Sequence, residues 1–310
     1  MKTTPVSPDD LSRSVFAVPP LARRPDFSLD AAQQQRLSRH IEAGGITTLL
    51  YGGNANLYHM GLREYPAFLD LIESCAAADT WVVPSAGPDF GKLMDQAAIL
   101  RSRRFPAVMA LPMAFPAMPG GTARAMRAFA EATGRPLILY LKTETQMHIR
   151  DVARLVDDGL VCGIKYAIPR ADPADDPFLD SLLQQVDRRY IACGLAERSA
   201  LVHLSRFGLA SYTSGGICIA PRLSAAFMAA AQRGDVATAE RLRAAFLPLE
   251  SLRERSQVFA ALHEAVTLSG VADLGHCLPM LDRVGEADRA ALAPIVRELV
   301  AAEAALARPH

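Results

Sequence analysis

Short apolar runs alternate along this chain with longer stretches in which apolar residues recur every three or four positions. The runs have strand length and the stretches have helical spacing. Eight runs fall in the first 220 residues, at 14–20, 46–51, 81–85, 107–113, 136–142, 160–169, 189–194 and 209–216. The first helix is expected to open near Ser28, read as its N-cap, and to stop at Gly44-Gly45. Others are expected over about 62–78, then up to about 103, and from the Pro/Gly-rich loop 115–121 to Gly134. A further helix runs through Val152 to Asp157, one follows the acidic loop 171–176 to about 186, and one spans about 196–207.

Eight alternating strand–helix units imply a parallel sheet, and eight is the count of a closed (β/α)8 barrel, the TIM barrel. An open doubly wound sheet is the alternative. It more often carries a Gly-rich dinucleotide loop after its first strand, where this chain has Pro19-Pro20. The expected organisation is an irregular arm over 1–13, the barrel over 14–220 and an Ala- and Arg-rich helical extension over 221–310 packed on it. The extension is broken at Gly234, near Pro248, around 270–275 and at Gly285.

Composition changes this picture little. Half of the residues are hydrophobic and 21% are charged, an ordinary globular balance. Basic and acidic residues balance at 33 each, with no basic stripe, so nucleic acid is not an expected partner. No apolar run approaches membrane-spanning length, and the first ten residues lack the apolar segment of a signal peptide. Five scattered cysteines fit free thiols in a reducing cytoplasm. Seven scattered histidines show no metal-ligand spacing, so neither a metal nor another cofactor is expected.

One residue stands out. The chain has four lysines (Lys2, Lys92, Lys142 and Lys165), and Lys165 lies inside an apolar strand. There it shares a face with Val161 and Gly163. Burying an ammonium is costly, and an apolar wall lowers an amine's pKa towards the range in which it attacks carbonyls. The bland reading is a strand-end lysine whose stem packs while its head reaches water. In a barrel the reactive groups sit at the carboxyl ends of the strands. Gly52-Gly53-Asn54, Tyr140, Lys142, Lys165 and Thr213 all fall at that rim. An amine, a phenol and a turn presenting backbone amides suit Schiff-base chemistry. Singly, Gly52-Gly53 reads as a turn, Tyr140 as a core aromatic and Lys142 as a solvated strand end. Thr213-Ser-Gly-Gly216 could also hold a phosphate.

With these residues the chain resembles the dihydrodipicolinate synthase / N-acetylneuraminate lyase family of pyruvate-dependent class I aldolases. Gly163-Ile-Lys165 is similar to the family's Schiff-base strand, and Tyr140 stands where the family has its strand-five tyrosine. The segment Gly52-Gly-Asn-Ala-Asn-Leu-Tyr58 falls on the family's carboxylate-binding segment. The resemblance implies that Lys165 forms the imine, that Tyr140 relays protons and that Gly53 and Asn54 hold the substrate carboxylate. It also implies that the backbone at Thr213 lines the keto-acid pocket. Three features depart from the synthases. The threonine that partners the tyrosine is replaced by Gly53 or Asn54. Pro112 is followed by Met113-Ala114 rather than by an intersubunit tyrosine pair. The arginine after the strand-five tyrosine is missing from Lys142-Thr-Glu-Thr145, where Lys142 could take its place.

These departures point away from lysine biosynthesis. The expected activity is a Schiff-base lyase, an aldolase or dehydratase acting on pyruvate or a 2-oxo-3-deoxy sugar acid, in a homo-oligomer that is a tetramer or a dimer. The alternatives are a divergent 4-hydroxy-tetrahydrodipicolinate synthase and a non-catalytic barrel that binds a keto acid.

Overall fold

The computed structural model describes residues 1–306. Its parallel strands are β1 (Phe16–Ala17), β2 (Thr48–Leu50), β3 (Trp81–Val83), β4 (Ser85–Ala86), β5 (Val108–Ala110), β6 (Leu137–Leu141), β7 (Val161–Tyr166), β8 (Ile191–Cys193) and β9 (Ser211–Ser214). They pair in the order β3-β2-β1-β9-β8-β7-β6-β5-β4. The two ends of this order, β3 and β4, are consecutive pieces of one strand position interrupted at Pro84, which has no N–H to donate. The carbonyl of Pro84 still accepts from the Met109 amide at 2.9 Å, so the sheet nearly closes on itself. The eight strand positions read from the sequence are therefore the eight of a barrel, and the doubly wound alternative is excluded.

Most helices begin or end within a few residues of their expected bounds, and the differences have local causes. Asp30, not Ser28, caps the first helix, Ala31–Ala43, by accepting from the Gln33 amide. Ser28 is instead held in a turn by the Asp26 carboxylate. The helix Pro119–Thr133 starts inside the stretch read as a loop, because a proline fits the first turn without losing a hydrogen bond. In the acidic loop Asp176 is structural. It caps the helix Pro177–Leu183 and accepts from Tyr166 and Arg170, each at 2.7 Å.

The N-terminal arm contains one helical turn, Pro8–Leu11, capped by Ser7 and Asp10. It places Leu11 against the barrel floor. A Cβ on Gly163 would come within 3.1 Å of Leu11 and 2.7 Å of Ile138, so only glycine fits beneath the reactive strand. After β9 the chain forms the helices Pro221–Gln232, Val236–Ala244, Leu247–Arg255, Val258–Leu268 and Glu286–Leu306. Phe246, Leu249, Leu252 and Leu262 bury this extension in the same core as the barrel helices. Among the described residues no helix is long and apolar enough to cross a membrane.

Candidate active site

At the carboxyl ends of the strands lies a cavity of about 470 Å3. Gly53, Asn54, Tyr140, Lys165 and Thr213 all line it, and so does Lys142. The residues singled out in the sequence therefore meet in one place.

The register between β6 and β7 decides which residues face each other. Leu137 pairs with Val161, but Ile138 pairs with Gly163, so β7 carries an irregularity at Cys162. Without that slip Lys165 would lie opposite Leu141. With it, Lys165 lies opposite Tyr140. Bulges re-aim side chains in this way near reactive sites. The Lys165 amine sits over the face of the Tyr140 ring, 4.4 Å from its centroid. Gly194 on the far side permits the approach, since a Cβ there would come 2.9 Å from the Lys165 Cγ.

Lys165 is 8% exposed, and no hydrogen bond or ion pair holds its amine among the described residues. Burial lowers its pKa to about 7, and the nearby charges of Lys142 and Arg253 push the same way. The Tyr140 ring beneath favours the ammonium by about 1 kcal/mol, less than one pKa unit, so it does not restore the ordinary value. Close to half of the amine is therefore neutral at pH 7.

Burial pushes the Tyr140 phenol up to about 12, so it enters the site protonated, as a donor. Burial also raises the Tyr58 phenol, and the nearby Tyr140 raises it further. Tyr58 thus stands beside the phenol whose family threonine is absent. Sequence reading named Tyr58 only as the end of the segment 52–58 and assigned it no role.

Gly53–Ala55 form one 3-10 turn. The Ala55 amide donates to the Gly52 carbonyl, whereas among the described residues no carbonyl accepts from the Gly53 and Asn54 amides at the start of the turn. The Asn54 side chain is already engaged. Its Nδ2 donates to the Val18 carbonyl at 2.8 Å, and its Oδ1 accepts from Arg253 at 3.4 Å. These bonds hold the Asn54 side chain in one orientation.

The extension supplies residues that sequence reading missed. Glu250 and Arg253 from Leu247–Arg255 line the cavity, 7% and 6% exposed, and pair at 2.9 Å. Behind them Glu197 is fully buried and accepts from the Ser214 hydroxyl. Burial and the neighbouring Glu250 push its carboxyl well above the usual carboxylate range. Lys142 remains exposed at the rim and makes no ion pair. Among the described residues no group of three His, Cys, Asp or Glu side chains could hold a metal ion.

A second cavity of about 530 Å3 adjoins the other side of Tyr140, walled by Leu111, Met113, Phe115, Met118 and Met147. It is larger and more apolar, and no lysine lines it.

Comparison with known proteins sets this geometry in context. The model of the dihydrodipicolinate synthetase family matches residues 107–299. A probable 5-dehydro-4-deoxyglucarate dehydratase from Streptomyces coelicolor is 25% identical over 266 residues, covering 81% of this chain and 78% of that protein. The dihydrodipicolinate synthase of Bacillus clausii shares the fold with a TM-score of 0.83 at 19% identity, over 93% of this chain and 98% of that one. A prophage protein of the dihydrodipicolinic acid synthase family from E. coli K12, solved in complex with pyruvate, superposes with a TM-score of 0.78 at 18% identity. That match covers 92% of this chain and 98% of the other.

Proposed function

This chain belongs to the dihydrodipicolinate synthetase family, a family of aldolase-type lyases, and from that premise we propose that it forms a Schiff base between Lys165 and a 2-oxo-3-deoxy sugar acid. The observation that carries the reading is an unpaired, largely buried lysine at the floor of a rim cavity, beside two cations that favour its neutral form.

The neutral amine attacks the C2 carbonyl of the substrate. The resulting carbinolamine loses water, and the protonated imine becomes an electron sink for the bond to C3. Loss of a C3 proton gives an enamine. The enamine then expels the C4 hydroxyl as water, which is dehydration. In aldol cleavage the C3–C4 bond breaks instead, and its electrons flow into the imine. The Tyr140 hydroxyl, with Tyr58 beside it, hands protons to and from these positions. The Gly53 and Asn54 amides hold the C1 carboxylate, which brings the carbonyl to the amine. The backbone at Thr213 closes the opposite wall.

Dehydration is the favoured outcome. The substrate named for the Streptomyces relative, read from the other end of its six-carbon chain, is a 2-oxo-3-deoxy sugar diacid. A cavity of about 470 Å3 is also larger than a three-carbon acid requires. Incubation with 2-oxo-3-deoxy hexonates and hexarates is expected to consume the substrate with loss of water and without release of pyruvate. Release of pyruvate would make the enzyme an aldolase. Rescue of a diaminopimelate auxotroph, with no sugar acid consumed, would establish the synthase alternative.

The protein is also proposed to be a homo-oligomer. Phe90, Phe115 and Met118 are 53%, 86% and 74% exposed around the apolar second cavity, a face that a second copy would cover. Light scattering is expected to give the mass of a dimer or tetramer, and a monomer mass at micromolar concentration would rule this out.

A further inference from the structure

We infer that Arg253 is a positioning residue for imine formation: it ties the carboxylate-binding turn to the helical extension and holds a fixed positive charge beside Lys165. The inference rests on the Schiff-base reading above.

The geometry is specific. Arg253 Nη1 donates to Glu250 Oε1 at 2.9 Å, Nε to the Val258 carbonyl at 3.2 Å and Nη2 to Asn54 Oδ1 at 3.4 Å. The guanidinium also packs over Gly215 at the end of β9, where an added Cβ would come within 2.8 Å of Nη1. One planar group therefore joins the turn after β2, the end of β9 and two helices of the extension. Asn54 is the hinge of this arrangement. Its Nδ2 is anchored on the Val18 carbonyl, and His263 of the extension meets its backbone carbonyl at 3.1 Å. Asn54 is thus fixed through both its side chain and its carbonyl, and Gly53 and Asn54 both line the cavity. A carboxylate bound there meets ordered donors without further loss of backbone freedom.

The charge has a second effect. The groups around the Lys165 amine are Tyr140 on β6, Lys142 just after it and Cys193 on β8. From the cavity walls Tyr58, Glu250, Arg253 and Glu254 complete the set. Arg253 and Lys142 oppose protonation of the amine, while Cys193 favours it. Lys142 has the larger effect on the amine but is exposed to solvent, whereas Arg253 is buried and held in place by its partners.

Borohydride trapping of pyruvate on the full-length protein, followed as a function of pyruvate concentration and pH, tests this. Removing Arg253 alone would strand Glu250, so the informative variant is Arg253→Met combined with Glu250→Gln. Its half-saturating pyruvate concentration is expected to rise roughly ten- to a hundredfold, the loss that goes with a charge-assisted contact. Its pH midpoint for trapping is expected to move up. Glu250→Gln alone leaves the guanidinium unbalanced and is expected to move the midpoint down. Arg253→Lys is expected to recover the midpoint more than the affinity, because it restores charge without the planar fork. If the double variant does not fold, Asn54→Ala decides the matter, with weaker saturation expected and wild-type saturation contradicting the inference. Wild-type saturation and midpoint in a folded double variant would overturn the role of Arg253 and leave the Schiff-base reading intact. Failure of the wild-type protein itself to trap pyruvate or any longer 2-oxo acid would overturn both.

Discussion

Lys165→Ala is expected to lower kcat/KM for the 2-oxo acid substrate by roughly three orders of magnitude or more, the scale of losing a covalent nucleophile. No other amine is placed to take over. Lys142 is at the solvent-exposed rim, and Arg253 cannot form an imine. The fold should survive the change. Lys165 makes no hydrogen bond or ion pair among the described residues, and removing a poorly solvated amine relieves a cost that offsets lost stem packing. A thermal unfolding curve close to wild type, together with lost turnover, is the expected pair of results. Substantial residual turnover would move the nucleophile elsewhere.

The same residue sets a pH dependence. Its pKa in the folded protein is lowered to about 7. Below that value the amine is protonated and cannot attack, so kcat/KM should fall on the acid side with an inflection near 7. A profile that keeps rising through neutrality into the alkaline range would mean that the amine is less buried in solution.

Tyr140→Phe is expected to reduce kcat by about 10²- to 10⁴-fold, the range for losing a positioned acid–base group. The substitution is clean, because the ring face beneath the Lys165 amine remains and only the hydroxyl goes. Substrate affinity should change far less, because in the proposed mechanism the carboxylate is held by Gly53 and Asn54 rather than by the phenol. With its phenol pushed up to about 12, Tyr140 acts first as a donor, which suits protonation of the departing hydroxyl. A kcat within twofold of wild type would return Tyr140 to the bland reading of a packed aromatic, and Tyr58 would become the candidate for the proton transfers.

The barrel was legible because each strand is a compact apolar run closed by glycine, proline or a change of period, a local signal repeated eight times. Lys165 was legible because lysine is rare here and an apolar strand is an unusual place for one. Tyr140 and the Gly53-Asn54 turn followed from their positions at strand ends. Other features were not visible for physical reasons. A one-residue slip at Cys162 leaves no trace in a run that is apolar on both faces, yet it sets Tyr140 opposite Lys165. Arg253 lies in an extension full of arginines, and only folding brings it over Gly215 and Asn54. Ser28 lost the cap to Asp30 because both are good capping residues and the turn at Asp26 claims the serine. The anchoring of the Asn54 side chain on Val18 and Arg253 was equally invisible, because both partners lie far from it in sequence.

The most direct test of the central claim is borohydride reduction of the wild-type protein in the presence of pyruvate, read by intact and peptide mass spectrometry. The account predicts one pyruvyl adduct per chain, on the peptide that contains Lys165. An adduct on any other lysine, or none with pyruvate or longer 2-oxo acids, would contradict it and leave a barrel that shares the family's fold without its imine chemistry.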